Sequence, residues 1–255
     1  RRDPDAVVLA APADHAIGDV RGFRAVVRRG FRLARSTGRF VTLGVPPTHP
    51  ATGYGYIERG KPFPGRVKGA FEVARFTEKP DLATARRFLR TGRFDWNSGL
   101  FLFRADAFAD RLARFLPAVD REIRKVFRGG KEGFDRRLRE AYRRMPSVSV
   151  DYGILEKDRG ILLLPANVGW SDLGTWRSLH EFLGDKGGNL AFGNVVLADC
   201  RDTFVRTDGG VVAVLGMDGA VVVRSGDAVL VCPRSRSEEV KRLAEEVRRR
   251  YPALA

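Results

Sequence analysis

Two aspartates in distinctive settings carry the first chemical signal in this chain. Asp172 lies in Val168-Gly-Trp-Ser-Asp-Leu-Gly-Thr-Trp176, a Gly- and Trp-rich turn that follows the apolar run Gly160-Ile-Leu-Leu-Leu-Pro165. Asp14 closes a similar run, Asp5-Ala-Val-Val-Leu-Ala-Ala-Pro-Ala-Asp14-His15. A carboxylate held at the carboxyl end of a strand stands where open α/β folds bind ligands. Strand-end aspartates also cap turns, and either residue alone is compatible with that plainer role. Together they are the minimum set for a hard cation against phosphate oxygens, because Mg²⁺ keeps waters and takes one or two carboxylates plus substrate phosphates. His15 reads as a packing or hydrogen-bonding neighbour rather than a ligand.

Three more segments could handle a polar substrate. In Thr52-Gly-Tyr-Gly-Tyr-Ile57 the alternating Gly53 and Gly55 let backbone N–H groups approach a ligand that a Cβ would block; a hairpin tip with two packed tyrosines is the alternative. Phe76-Thr-Glu-Lys-Pro80 sets Glu78 and Lys79 side by side at a strand end, the first suited to sugar hydroxyls and the second to a phosphate, or the two form a surface ion pair. Trp96-Asn-Ser-Gly99 offers the Asn97 amide, which both donates and accepts, ahead of the strand Leu100–Phe103; an Asx-turn is the alternative. Ser149-Val-Asp-Tyr152 reads as a helix cap.

The elements that must position these groups follow from hydrophobic periodicity. Residues 6–11 are a continuous apolar run, 20–36 carry apolar residues at helical spacing, and 40–45 form another apolar run. That is a βαβ pattern, and it predicts a parallel sheet. Residues 46–69 are rich in Pro and Gly and read as a loop. A strand is predicted at 70–76, a helix at 82–91 capped by Asp81, helices across 106–145, a helix from Ser149 to Lys157, a strand at 161–164 and a helix at 175–183. Beyond a linker signal at Gly187-Gly188, short β runs recur at 193–197, 203–205, 211–215, 220–223 and 228–231, with turns such as Asp208-Gly209 and Asp218-Gly219. Even spacing of this kind predicts a small all-β unit of stacked coils, then a helix over 238–250 capped by Ser235 or Ser237. The expected division is residues 1–184 and 185–255.

Composition narrows the class. The 255 residues include 46 Lys+Arg against 31 Asp+Glu, a net charge of +15, spread along helices as solvated arginine-rich faces. No nucleic-acid-binding pattern accompanies that charge, so nucleic acid is disfavoured as a partner and a phosphorylated small molecule fits better. Cys200 and Cys232 are too few and too far apart for a zinc motif or disulfide framework and are expected to be free thiols. No apolar run matches a membrane span and no signal pattern is present, so a cytoplasmic protein without a membrane partner is expected. The absence of Ser-His-Asp order, His/Cys metal spacing and G-x-G-x-x-G disfavours hydrolases, zinc enzymes and dinucleotide-dependent oxidoreductases.

In this order, Pro12-Ala-Asp-His15, Thr52–Ile57, Phe76–Pro80, Trp96-Asn-Ser-Gly-Leu-Phe101, Ser149–Tyr152 and Trp170–Trp176 resemble the sugar-phosphate nucleotidyltransferases, and among them the mannose-1-phosphate guanylyltransferases. The resemblance implies an α/β, Rossmann-like nucleotidyltransferase with a mixed, mainly parallel sheet, followed by a small left-handed β-helix-like domain, often a site of homodimer contacts, and a terminal helix. It implies Mg²⁺ held by Asp14 and Asp172, mannose hydroxyls bound by Glu78 and Asn97, the sugar phosphate met by Lys79, and main-chain contact from Gly53 or Gly55. The substrates would be GTP and mannose-1-phosphate and the products GDP-mannose and pyrophosphate, with positioning and charge neutralisation supplying catalysis. One departure is large: the family's G-G-x-G-x-R-x-x-P phosphate loop is missing from these residues. The chain opens Arg1-Arg-Asp-Pro4 and enters a buried-type strand at once, so a preceding segment is expected, and the chain as given is expected to bind GTP poorly. Another sugar-1-phosphate substrate such as glucose-1-phosphate, or a non-catalytic sugar-phosphate-binding subunit, remains open.

Overall fold

The computed structural model describes residues 3, 5–184 and 188–252; Gly187 of the expected linker lies outside them. The elements in chain order are β1 (Val7–Ala10), β2 (Ala16–Ile17), α1 (Val20–Thr37), β3 (Val41–Val45), β4 (Tyr56–Pro62), β5 (Phe71–Thr77), α2 (Leu82–Thr91), β6 (Phe94–Arg104), α3 (Ala105–Phe115), α4 (Pro117–Arg128) and α5 (Phe134–Arg144). A π-helical turn (Asp151–Leu155), β7 (Leu162–Pro165), β8 (Trp170–Ser171) and α6 (Trp176–Leu183) follow. Then come β9 (Leu190–Phe192), β10 (Val195–Ala198), β11 (Phe204–Thr207), β12 (Val212–Leu215), β13 (Ala220–Ser225), β14 (Ala228–Pro233), a 3₁₀ turn (Arg234–Glu239) and α7 (Val240–Arg250). They form two compact units. The first takes residues up to Ala13 and Asp19–Val168, the second Asp14–Gly18 and Gly169 onward. Among the described residues no helix is long and apolar enough to cross a membrane.

The first unit is built on a six-stranded mixed sheet in the order β1-β6-β3-β7-β5-β4, with β4 also pairing to β6. The expectation that the sheet is mainly parallel needs correction. Only β3 and β7 pair in parallel; the β1–β6, β3–β6, β4–β5, β4–β6 and β5–β7 pairs are all antiparallel. The βαβ pattern gave the direction of β1 and β3 correctly, since both run opposite to β6. It could not show that β6, far later in the chain, inserts between them. Two boundaries also shift. The Pro- and Gly-rich stretch read as a loop contains strand β4, and β6 is 11 residues long, so Asn97 lies inside the strand rather than ahead of it.

Local sequence explains the helices that brace this sheet. Asp19 caps α1 by accepting from the Gly22 N–H at 2.9 Å, and Gly38 ends it in the left-handed region at φ 63°. Val26, Gly30, Leu33 and Ala34 bury one stripe of α1. Asp81 caps α2 through the Thr84 N–H at 2.7 Å. Phe40, Phe101, Ala107, Ile154, Leu155 and Ile161 form one buried cluster, each large member contributing about 1.5–3 kcal/mol on burial.

The second unit stacks its strands in parallel. Val195 pairs with Val212, Arg201 with Asp218 and Phe204 with Val221, always at an offset of 17 residues, which is one coil laid on the next. β9 adds in parallel to β11, and β14 closes the stack antiparallel to β13. Phe204, Val221 and Val223 are its buried core. The expected Ser235 or Ser237 cap does not form. Glu239 precedes α7 without a side-chain cap bond, and Ser237 is buried in the 3₁₀ turn, which takes up the residues where the helix was expected to start. Both cysteines are free thiols.

One buried ion pair ties β4 to β6. Arg59 Nε and Nη2 meet Asp95 Oδ2 and Oδ1 at 2.6 and 2.5 Å, and the Asp95 side chain is wholly buried. Hydrogen bonding to Asp95 raises the guanidinium pKa above its already high value against the opposing effect of burial. Removing one partner leaves a buried charge unpaired. Arg59→Ala is therefore expected to destabilise the fold by about 3–5 kcal/mol in urea unfolding, with Asp95→Asn in the Arg59→Ala background recovering part of the loss.

Candidate active site

The pairing of β2 with β8 decides where the two aspartates go. These strands run antiparallel with Ala16 opposite Ser171 and Ile17 opposite Trp170. Asp14 stands two residues before β2 and Asp172 one residue after β8, so both residues lie at the same end of one short ladder. The ladder is extended by the Gly18 N–H, which donates to the Gly169 carbonyl at 2.9 Å. It is also pinned beside the acids: Trp170 Nε1–H donates to His15 Nδ1 at 3.1 Å, with the two rings edge to face at 5.3 Å. His15 therefore carries its ring proton on Nε2 and is engaged with Trp170, as its reading as a hydrogen-bonding neighbour expected.

The turn after β8 holds Asp172 by its own backbone. Leu173 N–H donates to Ser171 Oγ and Gly174 N–H donates to Asp172 Oδ1, both at 3.1 Å. Leu173 sits in the left-handed region at φ 50°. A Cβ added to Gly174 would come within 2.5 Å of Asp172 Oδ2, so glycine leaves the space the carboxylate fills. Thr175 then opens α6 with a reciprocal capping box to Ser178. Asp14 is exposed and Asp172 half-buried. Two hard oxygen donors at one ladder end fit Mg²⁺, which completes its shell with water and phosphate oxygens. Among the described residues no group of three or more His, Cys, Asp or Glu side chains is placed to cage a metal unaided.

A second cluster forms within the first unit. The carbonyl of Gly55, just before β4, accepts from the Asn97 N–H at 2.8 Å. A Cβ at Gly55 would strike Glu78 Oε2 and lie 3.2 Å from Asn97 Cβ, so Gly55, Glu78 and Asn97 share one small space. Gly53 is apart from them, with open space around its position. Lys79 follows Glu78 at φ 43°, its Nζ 3.4 Å from Glu78 Oε1, and it is largely exposed, so the ion-pair alternative is also realised. The Asn97 amide is held at both ends: Nδ2 donates to Asp151 Oδ1 at 3.0 Å, and Oδ1 accepts from the Gly99 N–H at 3.2 Å.

Asp151 and Glu156 are the residues sequence reasoning passed over. The helix-cap reading of Ser149–Tyr152 holds, with Ser149 Oγ accepting from the Tyr152 N–H at 3.3 Å; Asp151 in addition begins the π-helical turn and turns its carboxylate to Asn97. Glu156 Oε1 accepts from the Glu78 N–H at 3.4 Å. The block Ser149–Tyr152 carried a signal for the first; nothing in the sequence signalled the second. Burial chiefly raises the Glu78 pKa above the ordinary glutamate value, and the Asp151 and Glu156 charges add to this while Lys79 opposes it.

Residues 1–186 match the Nucleotidyl transferase family, and the chain belongs to it. Residues 193–247 match the MannoseP isomerase/GMP-like beta-helix domain, in agreement with the stacked coils of the second unit. The chain is 39% identical over 251 residues to the xanthan biosynthesis protein XanB of Xanthomonas campestris pv. campestris strain B100, covering 97% of this chain and 52% of that protein. It is 38% identical to the mannose-1-phosphate guanylyltransferase ManC of Salmonella typhimurium strain LT2, covering 96% and 52%. The chain thus spans about half the length of the curated relatives it matches. A crystal structure of a Thermus thermophilus protein described as mannose-1-phosphate geranyltransferase superposes with a TM-score of 0.82 at 34% identity, covering 94% of this chain and 69% of that one. The resemblance drawn from six short blocks is thereby borne out across nearly the whole chain.

The raised Glu78 pKa has a consequence for stability. A folded-state pKa above the unfolded one means the fold disfavours the ionised form, so stability is lost as pH climbs from the ordinary glutamate range through the folded value. Glu78→Gln, neutral at every pH, is expected to be more stable than the parent near neutrality and no more stable below the ordinary glutamate range. Urea midpoints across pH check this; a gain that is independent of pH contradicts it.

Proposed function

We propose that the chain serves a mannose-1-phosphate guanylyltransferase, in which a phosphate oxygen of mannose-1-phosphate attacks the α-phosphorus of GTP, the bond to pyrophosphate breaks, and GDP-mannose forms. The single observation that carries this reading is that the β2–β8 ladder brings the positions of Asp14 and Asp172 to the same end. The named relatives support the choice of sugar. Asp14 and Asp172 would hold Mg²⁺, which when bound neutralises phosphate charge and aligns phosphate oxygens. Glu78 and Asn97 accept from and donate to mannose hydroxyls, Gly55 or Gly53 offers the main chain, and the exposed Lys79 ammonium meets the sugar phosphate. No nucleophile of the protein is needed, since in-line positioning and charge neutralisation suffice for this transfer. A reaction that consumes a nucleoside triphosphate fits a cytoplasmic location.

Mn²⁺ serves as a spin-active stand-in for Mg²⁺. Asp172→Asn is expected to lower Mn²⁺ affinity roughly 10-fold or more, the scale seen when a metal's ligand shell is disturbed. Gly174→Ala should do likewise with little change in melting temperature, because its Cβ displaces only the flexible end of Asp172. Unchanged affinity in both variants rejects the metal role. A homodimer is also proposed through the second unit, where Val196 and Leu215 are 59% and 71% exposed on the outer face of the β10–β12 pair. Leu215→Glu should shift sedimentation equilibrium toward monomer; a parent chain that is already monomeric at high concentration rejects this contact.

A further inference from the structure

We propose that the π-helical turn Asp151–Leu155 is a specificity element for the sugar, with Asp151 and Glu156 as positioning residues that fix what Asn97 and Glu78 offer to a hydroxyl-bearing ligand. The inference rests on the reading that Glu78 and Asn97 face the sugar.

Residues five apart on an α-helix lie about 140° apart around its axis, on different faces. Here the Glu156 N–H donates to the Asp151 carbonyl at 3.0 Å, a five-residue closure that widens the turn and brings positions 151 and 156 into line. Both carboxylates consequently reach the same cluster. Asp151 receives Asn97 Nδ2–H, and Glu156 receives the main-chain N–H of Glu78. The widened turn is seated in the core, since Gly153, Ile154 and Leu155 are buried and a Cβ on Gly153 would come within 2.8 Å of Leu116.

A carboxylate only accepts, so Asp151 permits one orientation of the Asn97 amide; the reverse would set Asn97 Oδ1 against it. The Gly99 N–H, which donates to Asn97 Oδ1, enforces the same choice. Asn97 is left with one N–H and one lone pair in a fixed order. A ligand whose hydroxyls present the opposite order leaves a buried group unpaired, which is how such sites discriminate between isomers. Glu78 is faced by Asp151 and Glu156 from the turn and by Lys79 from its own strand end, so the turn also determines when Glu78 is ionised and able to accept.

The test uses the 255-residue chain and calorimetric titration with α-mannose-1-phosphate and α-glucose-1-phosphate across pH. Asp151→Asn removes the acceptor-only partner of the Asn97 amide, leaving the Gly99 N–H alone to hold its orientation, and it is expected to weaken mannose-1-phosphate binding roughly 10-fold. It should also narrow the preference for mannose- over glucose-1-phosphate and move the acid limb of binding to lower pH, because one charge that raises the Glu78 pKa is gone. Asp151→Glu should restore part of the preference, and Glu156→Gln should move the acid limb in the same direction by less. Melting temperatures establish that each variant is folded; if Asp151→Asn is not, Asp151→Glu and Glu156→Gln carry the test. Parent-like preference and an unmoved acid limb in the folded variants overturn the inference while leaving the functional reading intact. A parent chain that binds neither sugar phosphate, or a Glu78→Ala variant that binds mannose-1-phosphate as the parent does, overturns the functional reading and the inference with it.

Discussion

The register of β6 is the constraint on which the cluster of Gly55, Glu78 and Asn97 depends. This strand has three neighbours: β3 along one edge, with β1 and β4 sharing the other. Side chains on a strand alternate faces, so Asp95 and Asn97 lie on one face and a slip of one residue would reverse both. The Arg59 guanidinium opposes such a slip, because it would strand the wholly buried Asp95 without its partner. Asn97 is thus aimed by an ion pair two residues away that has no chemistry of its own.

Pairing β4 to β6 has a further effect. β6, β3, β7, β5 and β4 form a closed circuit of hydrogen-bonded neighbours, and β1 is attached outside it. Closure removes free edges from the circuit and limits the freedom of the strand ends that carry Gly55 and Glu78. A loop with the same two residues would hold them at greater entropic cost and less accurately.

What the sequence disclosed follows the range of the forces involved. The Asp81 cap acts over three residues, and the α1 stripe and the even β runs repeat over short periods, so all could be read directly. The flanks of Asp14 and Asp172 marked both as strand-end residues, and the β2–β8 ladder sets them at one end. What stayed hidden was non-local. No periodicity states that β6 will part β1 from β3, which is why a parallel sheet was expected and an antiparallel-rich one is found. The contact of Asp151 with Asn97 was hidden because its flank reads only as a helix start, which it is. Glu156 was invisible because five-residue spacing has meaning only once the turn is widened.

Glu78 and Asp172, in different parts of the chain, share one backbone habit. Each is followed by a residue in the left-handed region, Lys79 or Leu173, and neither is glycine. That conformation costs an L-residue about 1–2 kcal/mol. Glycine at position 79 or 173 would relax the strain, yet it would also open many more torsional states beside the acid. At these two hinges, ease of folding and accuracy of aim favour different residues, so a variant selected only for heat resistance could be drawn toward glycine there and lose its grip on the acids.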